Sequence, residues 1–333
     1  MTVPTGSAAA HVVRQVRGEL ADAGLTAGIL VRDLDSGHEV GIDPHLDLPI
    51  ASLVKVPVAL ATLERIRRGE LDAAATVTVE PGRVTTAGPP GTTRFRHPAS
   101  VALEDLVYLA VSLSDSSACD ALLALTPPAQ VGRVLRELAV PGIEIRHGLG
   151  ELGDTPVEAL EHLHPGLGHA FATMATTANG GSVIRWLDVS VTTTSSARVL
   201  ADLLAAVWRA DSADSADSAD RVDPAVSARL RELLAANVHR QRLAPEFDRD
   251  ASTWSSKTGT VLNLRHEAGV VEHADGRRIV VVVLSRSAVA AGAQPAAEIV
   301  LGRAARRLHD LVRRTAPPVR AGAPGQRSSS GVR

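Results

Sequence analysis

The sequence lacks the features that identify most secreted proteins. A single cysteine, Cys119, occurs among the 333 residues, so no disulfide can form within the chain. One free thiol is typical of a protein from a reducing compartment, and we expect Cys119 to be a small buried core residue. The first 24 residues alternate apolar and charged side chains at helical spacing and lack the apolar core of a secretory signal. We therefore predict a cytoplasmic protein.

The sequence also lacks an excess of charge of either sign and has no long apolar run. Lys and Arg together number 35 against 37 for Asp and Glu, and aromatic residues are only 2% of the chain. Nucleic-acid binding needs clustered positive charge, so we expect no nucleic-acid partner. Apolar runs such as "RIVVVVLS" at 278–285 are far shorter than the ~20 residues of a membrane span, so we expect no membrane partner.

What is present indicates an α/β protein with one large core, since 45% of the residues are apolar. Turn residues at 35–37 and 275–276 separate segments with the pattern of β-strands. The predicted strands are 26–34, 38–44, 252–260, 265–273 and 277–285. Helical periodicity predicts an N-terminal helix, a helix from residue 52, and helices near 102–113, 117–125, 129–138, 195–209, 224–237 and 293–314.

This order predicts one domain, 8–314, with two lobes and a cleft between them. The α/β lobe comprises about 8–51 and 240–314, with an antiparallel sheet flanked by helices, and the all-helical lobe comprises about 52–239. The triplet repeat "ADSADSADSAD" at 210–220 has no apolar face and is expected to be a solvated insertion. The tail 315–333 is expected to be disordered, and the whole protein to be a monomer.

A serine and a lysine three residues apart begin an otherwise apolar helix in "IASLVKVPVALATLERI", residues 50–66. Burying this helix takes Ser52 and Lys55 with it, and a buried amine either reaches a cleft or loses its proton. A neutral amine one turn from a hydroxyl can act as the base that makes the hydroxyl nucleophilic. The alternative is that Ser52 caps the helix and Lys55 lies on the surface.

Two further motifs follow in order, Ser114-Asp115-Ser116 in the predicted helical lobe and Lys257-Thr258-Gly259 on a predicted strand. With Ser52-x-x-Lys55, this set resembles the active-site motifs of the class A β-lactamases and penicillin-binding proteins. The resemblance extends from about residue 10 to 312. It implies the two-lobe β-lactamase-like fold and acyl transfer through a serine ester, without a cofactor.

The resemblance assigns a role to each motif. Ser52 would be the nucleophile, Lys55 its base and Ser114 a proton relay, while Lys257 would discourage protonation of Lys55 and attract a substrate carboxylate. The backbone N–H groups of Ser52 and Thr260 would bind the oxyanion. Further substrate contacts are expected at Ser116, Thr258, Gly259, Thr260 and Arg265, with Gly259 allowing substrate to approach the strand edge.

Two departures from the family pattern affect turnover. The Glu-x-x-Leu-Asn motif that supplies the deacylating glutamate is absent, and the corresponding stretch offers only Glu151 and Asp188 as loosely placed candidates. Ser116 replaces an asparagine, so the amide that holds the substrate's acylamino group is missing. The expected function is therefore β-lactam hydrolysis through an acyl-enzyme, with turnover weakened by these departures. A D-alanyl-D-alanine peptidase or esterase and a non-hydrolytic penicillin-binding or sensor protein are the alternatives.

A histidine cluster in the same stretch, His162, His164 and His169, raises the question of a metal site. Imidazole is a common zinc ligand, but no cysteine or nearby aspartate completes a ligand set. We therefore expect loop histidines and no metal. The expected partner is a small-molecule β-lactam, peptide or ester.

Overall fold

The computed structural model describes residues 7–80, 90–140, 143–151, 167–174, 182, 184–210, 221–249, 251–289 and 293–317. Within them, a five-stranded antiparallel sheet has the strand order β2-β1-β9-β8-β7. Its strands are β1 (Leu25–Asp33), β2 (Glu39–Ile42), β7 (Ser252–Val261), β8 (Leu264–His273) and β9 (Arg278–Ser287). The first and last parts of the chain thus meet in one sheet, as predicted, and β7 lies at its edge.

Two short strand pairs lie outside this sheet. Strand β3 (Leu48–Pro49) pairs with β6 (Thr194–Ser195), and β4 (Thr76–Val79) pairs with β5 (Ala99–Ala102). Neither pair was predicted, because two to four residues carry too little alternation to stand out in the sequence. The β3–β6 pair positions the chain just before Ser52.

The described helices account for most of the remaining chain. They are α1 (Ser7–Asp22), α2 (Lys55–Arg67), α3 (Leu103–Ser112), α4 (Ser116–Leu125), α5 (Pro128–Glu137), α6 (Leu167–Met174), α7 (Ala197–Trp208), α8 (Pro224–Ala235), α9 (Ala244–Phe247) and α10 (Pro295–Thr315). The helices predicted from periodicity are present, with ends shifted by a few residues. No helix in this described part of the chain is both long and apolar enough to cross a bilayer.

The apolar run of β9 has a simple structural reason. Val280, Val282 and Leu284 pack into the core shared with the helices of the middle of the chain. Ile279, Val281 and Val283 alternate with them and pack against α1 and α10 on the opposite face. A strand buried on both faces loses the polar alternation of a half-exposed strand. The result is the predicted α/β fold, with an antiparallel sheet flanked by helices and a helical lobe.

Three predicted segments fall wholly or partly beyond the described ranges. The repeat is described only at Ala210, and the tail only through residue 317. Residue Thr315 itself ends α10, where its hydroxyl donates to the Leu311 carbonyl at 2.8 Å. His162 and His164 also lie outside the described residues. In the described part of the chain no group of three or more metal-ligating side chains is found.

Candidate active site

The predicted nucleophile lies on a short, firmly held turn. Ser52 belongs to a 3₁₀ helix, Ala51–Val54, that runs directly into α2 at Lys55. Ala51 has a φ of 48°, a conformation that non-glycine residues adopt at a cost of about 1 kcal/mol or more. The Ile50 N–H donates to the Thr193 carbonyl at 3.1 Å. Ser52 remains partly exposed, although the residues on either side of it are buried.

The amine of Lys55 is fully buried and surrounded by oxygens that carry no charge. Its Nζ lies 2.6 Å from the Ser114 carbonyl, 3.1 Å from Ser52 Oγ, 3.2 Å from Ser116 Oγ and 3.3 Å from Ser114 Oγ. Within the described residues, no carboxylate lies at hydrogen-bond distance from it. The interpretation of Lys55 as a surface residue is therefore wrong.

Burial has a direct electrostatic consequence for Lys55. Loss of hydration lowers the pKa of its amine to about 8, against smaller opposing effects of Cys119, Asp115 and Asp120. A buried amine without a carboxylate contact favours its neutral form, because the ammonium is poorly solvated there. With a pKa of about 8, about a tenth of Lys55 is neutral at pH 7 and able to accept a proton, and this fraction rises with pH.

Ser114 connects the two lysines. Its Oγ lies 2.9 Å from Lys257 Nζ and 3.3 Å from Lys55 Nζ, and its backbone has a left-handed φ of 62°. The neighbouring Asp115 keeps this conformation in place. Its buried carboxylate accepts hydrogen bonds from the Thr92 and Thr93 hydroxyls at 2.7 and 2.5 Å and caps α4 at the Ala118 N–H. The middle residue of the motif is therefore structural.

Lys257 enters the site from the edge strand β7. It is fully buried, and its Nζ also donates to its neighbour's carbonyl, that of Thr258, at 2.9 Å. Burial, and then the charge of Lys55, lower the pKa of this second amine well below its usual value. Two adjacent amines disfavour each other's protonated forms. Lysine occurs at only these two positions in the whole sequence, so both lysine amines meet at the hydroxyl of Ser114.

Gly259 has a packing role that the sequence analysis did not predict. A Cβ added there would lie 2.9 Å from the Ile50 carbonyl and 3.2 Å from the Leu53 side chain. The glycine thus allows β7 to pack directly against the turn that carries Ser52. In the described structure its small size serves strand packing, which brings Lys257 to the nucleophile.

Arg265, predicted to contact the substrate, has hydrogen-bond partners in its own hairpin. Arg265 is buried, and its guanidinium donates to the carbonyls of Leu262 and Leu264 in its own hairpin. Arg242, which the sequence analysis did not single out, donates to the Thr260 hydroxyl at 3.2 Å and to Glu298 at 2.8 Å. No local motif identifies Arg242, because its position depends on contacts with β7 and α10.

The two candidate deacylating carboxylates have other partners. Glu151 is exposed, and its Oε1 accepts the Gly148 N–H at 3.1 Å. Asp188 accepts hydrogen bonds from the Ser190 N–H and hydroxyl, which together lower its pKa. None of these hydrogen bonds involves Ser52 or Lys55. Within the described residues, Ser52, Lys55, Ser114 and Lys257 thus lie together, and none of the hydrogen bonds of the two lysine amines is to a carboxylate.

Comparison with known proteins agrees with this arrangement. A model of the β-lactamase enzyme family matches residues 11–312. The β-lactamase regulatory protein BlaB of Streptomyces cacaoi is 51% identical over 304 residues, which cover 91% of this chain and 97% of that protein.

Solved structures show the same fold at low sequence identity. PBP-A, solved as an acyl-enzyme complex of a mutant with penicillin G, is 16% identical with a TM-score of 0.67, over 91% of this chain and 97% of that one. A β-lactamase from Chitinophaga pinensis is 19% identical with a TM-score of 0.68, over 91% of this chain and 99% of that one.

Proposed function

Because this chain belongs to the β-lactamase enzyme family, we propose that it is a penicillin-binding protein that becomes acylated on Ser52 and releases the acyl group slowly. Its role is then recognition of β-lactams in regulation more than their rapid destruction. The observation that carries this proposal is the environment of Lys55, whose buried amine contacts the nucleophile and three other uncharged oxygens.

The acylation step follows from these contacts. Neutral Lys55 takes the proton of Ser52 as Oγ attacks the β-lactam carbonyl carbon, and the carbonyl oxygen becomes an oxyanion. The backbone N–H groups of Ser52 and Thr260 are the proposed donors to that oxyanion. When the ring C–N bond breaks, Ser114 Oγ gives its proton to the nitrogen and regains one from the protonated Lys55 through the 3.3 Å contact. Ser52 is left as an ester.

Deacylation needs a base, and no residue in the proposed mechanism acts as one. A water molecule attacking the ester must lose a proton, and that base must lie within reach of the water. The two candidate carboxylates have other hydrogen-bond partners, since Glu151 Oε1 accepts the Gly148 N–H and Asp188 accepts from Ser190. The ester on Ser52 is therefore expected to persist. The Streptomyces cacaoi relative is named a β-lactamase regulatory protein, which supports the same role.

Substrate recognition is expected to be broad on the acylamino side. Ser116 Oγ lies 3.2 Å from Lys55 Nζ, so its hydroxyl is already hydrogen-bonded to the amine. The serine side chain is also shorter than that of asparagine, so it reaches less far towards an acylamino group. On the opposite side, Lys257 and Thr258 form the proposed carboxylate anchor, and Arg242 contributes positive charge through its contact with Thr260. This arrangement supports a carboxylate-bearing ligand such as a penicillin.

Intact-mass spectrometry during incubation with penicillin G tests the proposal. We expect one adduct with the mass of the whole penicillin, which persists after free drug is removed and is absent in Ser52→Ala. The Ser100→Ala variant is the matched control, because Ser100 is an exposed serine on β5, and it should label like the wild type.

Each other outcome points to a different activity. Rapid appearance of penicilloate with little adduct would make the protein a hydrolase and contradict slow release. If neither adduct nor product forms but a D-alanyl-D-alanine peptide or an ester is cleaved, that peptide or ester would be the substrate and the β-lactam would not. Labelling that survives in Ser52→Ala would reject Ser52 as the nucleophile.

A further inference from the structure

A buried histidine outside the three motifs contacts the residues that precede strand β6. The ring nitrogen Nε2 of His147 lies 3.0 Å from the Thr193 backbone nitrogen and 3.1 Å from the Thr192 hydroxyl oxygen. Its Nδ1 lies 2.8 Å from the Gly148 carbonyl oxygen. His147 is only 8% exposed. Both of its ring nitrogens therefore have partners inside the protein.

These partners determine which protons the ring of His147 carries. A backbone N–H can only donate, so Nε2 must keep its lone pair to accept from Thr193. A carbonyl can only accept, so Nδ1 must carry the proton that is donated to Gly148. The contacts thus require a neutral ring with its proton on Nδ1. A second proton, on Nε2, would point at the Thr193 N–H and remove this hydrogen bond.

Thr193 connects this ring to the turn that carries the nucleophile. Its N–H donates to His147, and its carbonyl accepts the Ile50 N–H at 3.1 Å. Ile50 is the residue directly before the 3₁₀ turn Ala51–Val54, which contains Ser52. That turn begins with the left-handed φ of Ala51, a conformation that persists only where surrounding contacts hold it. Losing the contact between His147 and Thr193 therefore loosens one of the attachments of Ser52.

The surroundings of His147 favour its neutral form, in agreement with its hydrogen bonds. Burial is the largest influence, and it lowers the pKa of the ring below its usual value. In the described part of the chain, the charged groups that act on the ring come from three sides. Glu151 in the adjoining turn and Asp120 on α4 favour the imidazolium, whereas Arg185 in the 3₁₀ helix Arg185–Leu187 opposes it.

We propose that neutral His147 is a positioning residue for acylation, which holds Thr193 and through it the turn of Ser52, and that a proton on Nε2 releases this hold. The part concerning acylation rests on the proposed function, in which Ser52 is the nucleophile. The part concerning the ring and the turn can be measured without any ligand. A merely structural histidine would affect the rate equally at every pH, whereas this role adds a step that follows the protonation of the ring.

NMR of the protein without ligand tests the link between the ring and the turn. In protein labelled with ¹⁵N at histidine, the signals missing from His147→Gln are those of residue 147. We expect them to titrate with a midpoint below about pH 6.5. The backbone amide signals of Thr193 and Ser52 should shift with the same midpoint, and these shifts should be absent in His147→Gln. Amide signals that stay in place while the ring titrates, or that shift equally in His147→Gln, overturn the proposal.

The pH profile of acylation tests the effect on the nucleophile and needs no variant. Protonation of Lys55 alone should cost about tenfold in rate per pH unit below its pKa of about 8. Below the NMR midpoint of His147 two groups must each be deprotonated, so the loss should steepen towards about a hundredfold per pH unit. Stopped-flow labelling with a fluorescent penicillin measures this slope. A slope that stays at tenfold per pH unit through the His147 midpoint overturns the proposal.

Matched variants separate the proton from the contact. In His147→Gln the amide oxygen can accept the Thr193 N–H but does not titrate, so this variant should react like the wild type at pH 8 and lose the steep acid limb. His147→Ala offers no acceptor and should be slower by about tenfold or more at every pH. His11→Gln removes an exposed histidine on α1 and should keep the wild-type profile. A steep limb retained in His147→Gln, or a wild-type rate in His147→Ala, counts against the proposal.

The two kinds of measurement distinguish this proposal from the proposed function. If penicillin labels the protein at no pH, the proposed function fails, and the amide signals of Thr193 and Ser52 still decide whether His147 holds the turn. If labelling occurs but those signals do not follow the ring, the proposed function stands and the positioning role of His147 is rejected.

Discussion

The amine of Lys257 lies 2.9 Å from the hydroxyl oxygen of Ser114, although 143 positions separate the two residues in the chain. Ser114 Oγ also lies within hydrogen-bond distance of Lys55. One hydroxyl therefore connects both amines, which is the arrangement that a proton relay requires. The carboxylate of Asp115 fixes this hydroxyl by anchoring the loop to Thr92 and Thr93.

Removing the Ser114 hydroxyl should slow acylation without unfolding the protein. We expect Ser114→Ala to reduce the second-order rate of labelling by a fluorescent penicillin by about 10²-fold or more, the usual effect of a lost proton-transfer group. Ser112→Ala is the control, since its buried hydroxyl donates to the Leu233 carbonyl at 2.8 Å and its loss should cost about 1 kcal/mol of stability. Equal labelling rates for the two variants would contradict the relay.

The acylation rate of the wild type should depend on pH through Lys55. Because burial lowers the pKa of this amine to about 8, and only the neutral amine accepts a proton, the rate should rise with pH and level off above that value. Below it, each pH unit should cost about tenfold in rate. Stopped-flow labelling across this range measures the profile, and a flat profile would argue against Lys55 as base.

Replacing Lys55 by arginine should abolish acylation while preserving a positive charge. A guanidinium stays protonated in proteins, so it cannot take the proton of Ser52. We expect labelling by penicillin to fall by about 10²-fold or more in Lys55→Arg. Lys257→Arg, which places a permanent positive charge at the proposed carboxylate anchor, should lose less. Intact-mass spectrometry measures the extent of labelling in both variants. A larger loss in Lys257→Arg than in Lys55→Arg would make Lys257 the base and contradict the proposed roles.

A methyl group at Gly259 should separate β7 from the nucleophile turn. In Gly259→Ala the Cβ would lie 2.9 Å from the Ile50 carbonyl, and backbone must move to relieve this contact. We expect a loss of about 1–3 kcal/mol in the free energy of unfolding, together with slower acylation. Gly18→Ala is the control, because nothing lies within 4 Å of its added Cβ in α1, and it should be neutral or stabilising by up to about 1 kcal/mol. Urea denaturation measures both.

A pair of histidines between β8 and α10 should make stability depend on pH. Arg313 donates to His273 Nδ1 at 3.1 Å, so His273 Nε2 carries a proton and donates to His309 Nε2 at 2.9 Å. His309 Nδ1 then donates to Asp310 at 3.0 Å. This chain of hydrogen bonds requires both rings to be neutral, because another proton would direct two N–H groups at each other.

The direction of the effect follows from the pKa of each ring. Burial, followed by the charge of Arg313, lowers the pKa of His273 to about 4. Burial also lowers the pKa of His309; Asp310 opposes this change, whereas Arg306 and Arg313 add to it. The unfolded chain binds these protons first, near pH ~6.5. The stability contributed by the neutral pair is therefore complete above that pH and is lost as the pH falls towards 4.

In urea titrations, His309→Gln should be less stable at neutral pH and show a weaker acid dependence. Replacing exposed His45 by Gln should change neither quantity, and an unchanged acid dependence in His309→Gln would exclude this origin.

Local sequence was sufficient for the main elements and for the motif residues. Residue Lys55 could be assigned to the interior because the apolar residues around it predict a buried helix, and the alternation lost in β9 indicates a strand covered on both faces. The short pairs β3–β6 and β4–β5 could not be predicted, because they depend on partners at least 20 residues away. The start of α2 was placed three residues early, since the 3₁₀ turn of Ser52 continues into the α-helix without an apolar or capping signal.

By itself the sequence determined which reactive groups this protein has: one Ser-x-x-Lys pair, one Ser-Asp-Ser loop, and two lysines, each in a motif. Tertiary structure decided which groups lie beside them. It turned Arg265 towards its own hairpin, brought Arg242 to Thr260, used Gly259 for strand packing, and placed His147 beside Thr193. The physical reason is range. Helical and strand periodicity act over a few residues, whereas the charge and hydration of a buried amine depend on side chains that only the packed core brings within a few ångströms.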